Sequence, residues 1–318
     1  MPAERSWGPP IAAIERFVFA PEDARRLAAL RIGLFGLLAA RLAINDYEVV
    51  ADRPRVLFDP ISVFELLPSM PSAELTSAVQ AIGIAAALLA AAGVWPRASF
   101  PAAFAAALFL DLMLNAGGKV VHNDVVLMLC LLPLLATPRT ASRAWALRLP
   151  GNDREWGADQ PRLTGPAYGW PIRTAMIVIA LAYLLVGFQK LRYSGLDWIT
   201  TDNLRWVLYA SSDVQKEPNQ LALFVADRAW LAHLLAAGTI AIELGFVLCL
   251  PFARLRWLFV PGVVGLHLGI GLTMGLDYSA WALTVVIVFV NWAVVIESIR
   301  ATVVAWHRKP LRRAEGAP

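Results

Sequence analysis

Eight apolar runs, most of them close to twenty residues long, constrain this chain more than any other feature. They lie at about 27–44, 76–95, 99–115, 123–137, 172–190, 230–250, 257–275 and 279–298. A hydrocarbon core of about 30 Å is crossed by roughly 20 apolar residues in a helix. The runs are rich in Ala and Leu and do not alternate, which points to helices rather than a barrel. The expected fold class is therefore an all-α integral membrane protein, a polytopic bundle of about eight transmembrane helices. Composition agrees with this. Hydrophobic residues make up 58% of the 318 and charged residues 16%, against about 45–50% and 25% in soluble chains. Mean hydropathy is +0.58. A water-soluble fold of this size cannot hide so much apolar surface, so soluble-enzyme, disordered and fibrous classes are poor fits. The third and fourth runs are shorter, and Asp111, Lys119, His122 and Asp124 crowd the junction between them. Those two runs form either tilted spans lining a polar cavity or a re-entrant pair.

The net charge of +4 suits loops that meet anionic headgroups better than it suits nucleic acid, which is not expected as a partner. With the N-terminus inside, seventeen Lys and Arg fall in inside segments and eight in outside segments. The positive-inside rule then gives an N-in, C-in protein of the cell inner membrane, with the lipid bilayer as its first partner. The division is a cytoplasmic segment 1–26, a multi-span domain 27–298 and a basic cytoplasmic tail 299–318. The tail ends in His307-Arg308-Lys309 and Arg312-Arg313, an anchoring signal. The first 25 residues carry charge throughout, so the first apolar run is expected to act as an uncleaved insertion signal. Segment 203–210, with Trp206 and Tyr209, can lie flat at headgroup depth. The inside loop 138–171 reads as an irregular connector. Cys130 and Cys249 sit inside apolar runs and read as packing residues, not as a disulfide or metal pair.

Ionisable groups in spans are costly and are candidates for function. Lys190 closes the fifth run after Leu184-Leu185-Val186-Gly187-Phe188-Gln189. It either snorkels to the interface or acts as a general base, because a desolvated lysine gives up its charge readily where an arginine does not. His122 opens the fourth run and is either an interfacial hydrogen-bonding residue or part of a site that shares a membrane face with Lys190. Glu243 and His267 lie well inside the sixth and seventh runs, where adjacent antiparallel helices can pair them. Arg31 and Arg41 lie ten apart on the first run and can each neutralise an acid, with Glu243 or Asp111 as candidate partners. Asp277 sits in a short loop and is expected to be solvated. There is no Walker A motif, HExxH, CxxC or GxSxG, and the four histidines lack metal-ligand spacing. No metal site is expected.

Four features, taken in order, resemble a known family. They are Arg31-Ile32-Gly33 in an early span, His122-Asn123 leading into a span that closes at Pro133, the stretch Leu185-Val186-Gly187-Phe188-Gln189-Lys190-Leu191 followed by Asp197-Trp198, and Glu243-Leu244 before a span holding His267. The pattern resembles the horizontally transferred transmembrane domain family, the membrane portion of vitamin K-dependent gamma-carboxylase, from about residue 24 to about 298. The resemblance implies reduced quinone as cofactor or substrate, Lys190 as the base that deprotonates it and His122 near that site. Glu243, His267, Arg31, Asp197 and Trp198 become supporting positions. Gln189 stands where the carboxylase has a second lysine, and Arg192-Tyr193-Ser194-Gly195 separates Leu191 from Asp197-Trp198. The 318 residues hold no counterpart of the large lumenal β-rich region that holds the carboxylase's protein substrate. The expectation is therefore a quinone-dependent oxygenase or epoxidase. The alternative is a non-enzymatic accessory protein that matures or exports a secreted peptide, since short members of the family include one needed to mature a peptide toxin. A transporter would be expected to show inverted repeats or broken helices at mid-membrane, and neither stands out.

Overall fold

The computed structural model describes residues 9–117, 121–137, 140 and 164–307. Lys119, most of the predicted connector 138–171 and the tail beyond His307 lie outside the described residues. The fold is all α apart from two short strands. An amphipathic helix α1 (Pro9–Val18) leads into strand β1 (Glu22–Asp23), which pairs antiparallel with β2 (Thr164–Gly165). Long helices then follow: α2 (Ala24–Ile44), α4 (Ala73–Ala92), α5 (Pro96–Asn115), α7 (Pro166–Ser194), α11 (Ala229–Gly245) and α12 (Arg256–Met274). Shorter ones are α3 (Glu48–Ala51), α6 (Val125–Ala136), α8 (Asp197–Thr200), α9 (Asn203–Asp213) and α10 (Gln220–Ala226). The chain ends in α13 (Ser279–Phe289) and α14 (Trp292–His307).

All eight apolar runs are helical, but not all as simple spans. Among the described residues, six helices are long and apolar enough to cross a membrane, and α13 with α14 makes a seventh only if counted as one span bent by 73°. The eighth run is thus broken at Val290-Asn291. Of the third and fourth runs, α5 is full length, whereas α6 has 12 residues and falls short of a bilayer. α6 nonetheless packs in the core, with Val126, Leu127, Cys130, Leu131 and Leu134 all fully buried.

Helix limits follow local chemistry. The Asp23 carboxylate accepts from the Arg25 backbone N–H at 2.8 Å and starts α2. Ser72 Oγ does the same for α4 through Leu75 at 3.3 Å, and Gly93 ends that helix at φ 74°. α2 is apolar on most sides and is the central helix, as an all-round hydrophobic helix should be. Leu27, Leu34, Phe35 and Leu38 are buried against residues of α5, α6, α7 and α13. Its Phe35 ring lies 4.7 Å from that of Phe100. A second small core of Leu208, Ala222, Val225, Ala226 and Ala232 holds α9 and α10 on the start of α11. The segment 203–210 falls within α9, whose Trp206 is 68% exposed.

Cys130 and Cys249 are buried free thiols, as their apolar surroundings imply. Arg31 and Arg41 do not pair with Glu243 or Asp111. Arg31 donates to the Ala91 carbonyl at 3.1 Å, at the C-terminal end of α4, where a cation also complements the helix dipole. Arg41 takes Asp124 at 2.8 Å and also Asp277, so Asp277 is ion-paired rather than simply solvated. The reason is topological. Arg41 ends α2 at the level where α6 begins and where the α12–α13 loop turns, which brings both carboxylates to it.

Candidate active site

A cavity of about 350 Å3 lies among α7, α8, α9, α11, α12 and α13. Five of the expected site residues meet in its wall: Lys190, Glu243, His267, His122 and Trp198. Most of the remaining lining is aliphatic. A volume of this order suits a small organic ligand with a few placed polar groups.

α7 supplies one wall. Tyr183, Val186 and Lys190 fall at i, i+3 and i+7, so they share one helix face. Lys190 forms an ion pair with Glu243 of α11. Its side chain is 22% exposed and that of Glu243 6%. The Lys190 ammonium also stands 5.2 Å from the centre of the Trp198 ring, within cation–π range. The contact depends on Gly187, one turn before Lys190. A Cβ there would lie 2.9 Å from the Glu243 Cβ and 3.0 Å from Leu244 Cδ2. Only a residue without a side chain lets α7 and α11 approach so closely.

Aromatic and imidazole side chains form much of the lining. The Tyr183 hydroxyl and His267 Nε2 share a hydrogen bond of 2.6 Å. The Tyr278 hydroxyl and His122 Nε2 share one of 3.0 Å, and Trp281 Nε1 donates to the His122 carbonyl at 3.0 Å. Burial pushes the Tyr278 phenol above its ordinary value. His267 lies 5.6 Å from Tyr278 and 5.9 Å from Trp281, ring centre to ring centre. Two buried polar atoms in the cavity lining have no hydrogen-bond partner among the described residues: Glu243 Oε2 and His267 Nδ1. A buried acceptor left unpaired is costly, and a bound hydroxyl would relieve it.

Glu243 and His267 therefore face the same cavity without pairing with each other. Each has a nearer partner on α7. Arg31 and Asp197 are not in the cavity wall: Arg31 sits against α4, and Asp197 is exposed at the start of α8. His233 lies 3.9 Å from Asp202, outside the cavity. Sequence reasoning missed Tyr183, Tyr278 and Trp281. Tyr183 was detectable from its seven-residue spacing to Lys190 on one helix. Tyr278 and Trp281 reach the site only because α12 and α13 pack beside α7.

Next to this cavity is a second, apolar one of about 440 Å3 between α9, α10, α11 and α12. The two share Leu204, Thr239, Leu266, Ile270 and Met274 in their walls. Among the described residues, no group of three or more His, Cys, Asp or Glu is arranged to hold a metal ion. Comparison with family models, curated proteins and solved structures finds no match.

Proposed function

We propose that this protein is a membrane enzyme that deprotonates a lipid-soluble quinol and commits it to oxidation or epoxidation, with the Lys190–Glu243 pair as the proton acceptor. The observation that carries the reading is that pair, set in an aromatic and aliphatic cavity inside a membrane bundle. The resemblance of the Gly187 to Lys190 stretch and of His122-Asn123 to the gamma-carboxylase membrane domain supports the same assignment. The adjoining apolar cavity has room for a hydrocarbon tail.

The pair is neutral overall whichever atom holds the shared proton. Taking one more proton makes it cationic, and Glu243 Oε2 is the open acceptor position. Trp198 stands over the Lys190 ammonium and stabilises positive charge there. Tyr183 and His267 hold each other in place, as do Tyr278 and His122, so the hydroxyl and ring edges that meet a ligand are pre-oriented. An oxyanion formed on the ligand would lie beside the Lys190 cation. The apolar walls exclude water and strengthen that attraction. A reduced quinone with dioxygen supplies the remaining chemistry: quinol and O2 give quinone epoxide and water.

The test uses purified protein in lipid with a panel of reduced quinones and oxygen, followed by mass spectrometry of epoxide and oxidised quinone. Wild type should form product, and Lys190→Ala and Lys190→Arg should lose it by at least about 100-fold. Normal turnover in Lys190→Arg would sink the proposal. No product from folded wild type with any quinone would move the assignment to the accessory role.

A further inference from the structure

Helix α12 is bordered by cavities on three sides. The Lys190 cavity meets it at Leu266, His267 and Ile270. The adjoining apolar cavity meets it at Gly262, Gly265 and Gly269. A third cavity, of about 470 Å3, lies between α12 and α13 and takes Val264, Leu268, Gly271 and Gly275. At about 100° per residue these sets fall in adjacent sectors of the helix, with the Lys190 cavity in the middle. Glycine keeps the two outer sectors clear. A Cβ at Gly265 or Gly269 would meet nothing within 4 Å, and one at Gly271 only the Leu276 carbonyl oxygen at 3.6 Å.

The third cavity is divided from the Lys190 cavity by one layer of side chains, since His267, Leu276 and Tyr278 line both. The Tyr278 hydroxyl in that layer is held by His122 at 3.0 Å, and His267 Nδ1 is buried without a partner among the described residues. Both outer cavities reach the surface of the bundle. Leu234 and Leu235 line the apolar one and Leu268, Leu272 and Leu283 the third, and all five are about half exposed. In a membrane bundle such faces meet lipid chains. The third cavity follows α12 from Val264 to Gly275, about 16 Å at the helical rise and half of a core of about 30 Å. It ends at Asp277 and Ser279. It is thus one leaflet deep, with polar groups at the loop end. The apolar cavity differs. Its hydroxyls, Thr239 and Thr273, donate to their own helices at Leu235 O and Gly269 O, at 2.9 and 2.7 Å, which leaves a lining suited to hydrocarbon.

We propose that the three cavities form one passage around α12 with two openings to the bilayer, threaded by an amphiphile that carries a polar ring and a hydrocarbon tail. With the tail in the apolar cavity and the ring beside Lys190, the ring can move on into the α12–α13 cleft without the tail turning back. Tyr278 closes that second opening. The inference rests on the proposed function only in drawing the ligand from the bilayer. Its test uses no turnover, so either can fail without the other.

The test places a reporter thiol, Ala236→Cys, in the wall of the Lys190 cavity. The full-length protein in lipid vesicles is exposed to a long-chain N-alkylmaleimide dissolved in the bilayer, and adduct formation is followed by intact mass. The protein without the reporter is the blank, because Cys130 and Cys249 are buried. Gly265→Leu narrows one opening and Gly271→Leu the other. Each alone should slow labelling about twofold, as for parallel routes, and the two together at least about tenfold. Ala282→Leu, also in the cleft, replaces Gly271→Leu if that variant folds poorly. Tyr278→Phe loses the bond to His122 and should speed labelling of the Gly265→Leu protein about fivefold. A loosened fold would speed labelling in every variant, so slowing is not a sign of misfolding. Loss of labelling with either leucine alone would mean a single opening and overturn the proposal. So would a doubly narrowed protein that labels at the starting rate, a folded reporter protein that does not label, or equal labelling by a sulfonated maleimide confined to water.

Discussion

Gly187→Ala is the sharpest probe of how the site is assembled. The added Cβ would sit 2.9 Å from Glu243 Cβ and 3.0–3.1 Å from two atoms of Leu244. Carbon atoms prefer about 3.5–4.0 Å, so α7 and α11 must part by roughly 0.5–1 Å. The Leu244 side chain can rotate, but the Glu243 Cβ is fixed to its backbone and cannot swing aside. Overpacking of this kind costs about 1–3 kcal/mol. Alanine also favours a helix over glycine by up to about 1 kcal/mol, and that gain must be subtracted. Gly36→Ala on α2 supplies the control, since a Cβ there meets nothing within 4 Å. Denaturant titration in micelles should separate the two variants by about 1–3 kcal/mol, with Gly187→Ala the less stable. Parting the helices should also weaken the Lys190–Glu243 coupling, read by a double-mutant cycle in each background. If Gly187→Ala matches Gly36→Ala in stability and keeps the full coupling, close approach at Gly187 does not position this pair.

Three further outcomes follow from the ion pairs. Glu243→Leu or Lys190→Leu alone should destabilise by about 3–5 kcal/mol, and the double variant should cost less than the sum, because each single change strands a charge; additive unfolding energies would count against a coupled pair. Arg41→Met should cost a similar amount by stranding Asp124, and adding Asp124→Asn should recover part of it; thermal unfolding of the three variants gives the answer. Burial raises the Glu22 carboxyl, but Arg26 and Arg173 outweigh it and hold it below its ordinary value of 4.5. At Asp277 burial is likewise outweighed, by Ser279 and Arg41, and its carboxyl lies below 3.8. Both therefore contribute stability that is complete above about pH 4.5 and is lost as acid protonates the folded carboxyls. The melting-temperature difference between wild type and the Glu22→Gln, Asp277→Asn double variant should be constant from neutrality to that point and shrink below it, and a difference that already shrinks near pH 6 would refute the assignment.

Much of this architecture is legible in one dimension. Run length and composition are enough for a helical membrane bundle, because a bilayer core leaves only helices or barrels and these runs do not alternate. Lys190, Glu243, His267 and His122 stand out for the same reason: an ionisable group in an apolar run is expensive and needs a cause. Their meeting in one cavity is a matter of packing. Glu243 belongs with Lys190 rather than His267 because Gly187 lets α7 pass close to α11. Arg41 belongs with Asp124 and Asp277 because three segments end at one level. No local pattern carries these partnerships, since each joins residues more than fifty positions apart. The break at Val290-Asn291 escapes the hydropathy pattern too, because an apolar run stays apolar whether its helix is straight or bent by 73°. Hydrophobicity dictates which residues leave water, while the crossing of helices, set by small side chains at their contacts, decides which of those residues touch.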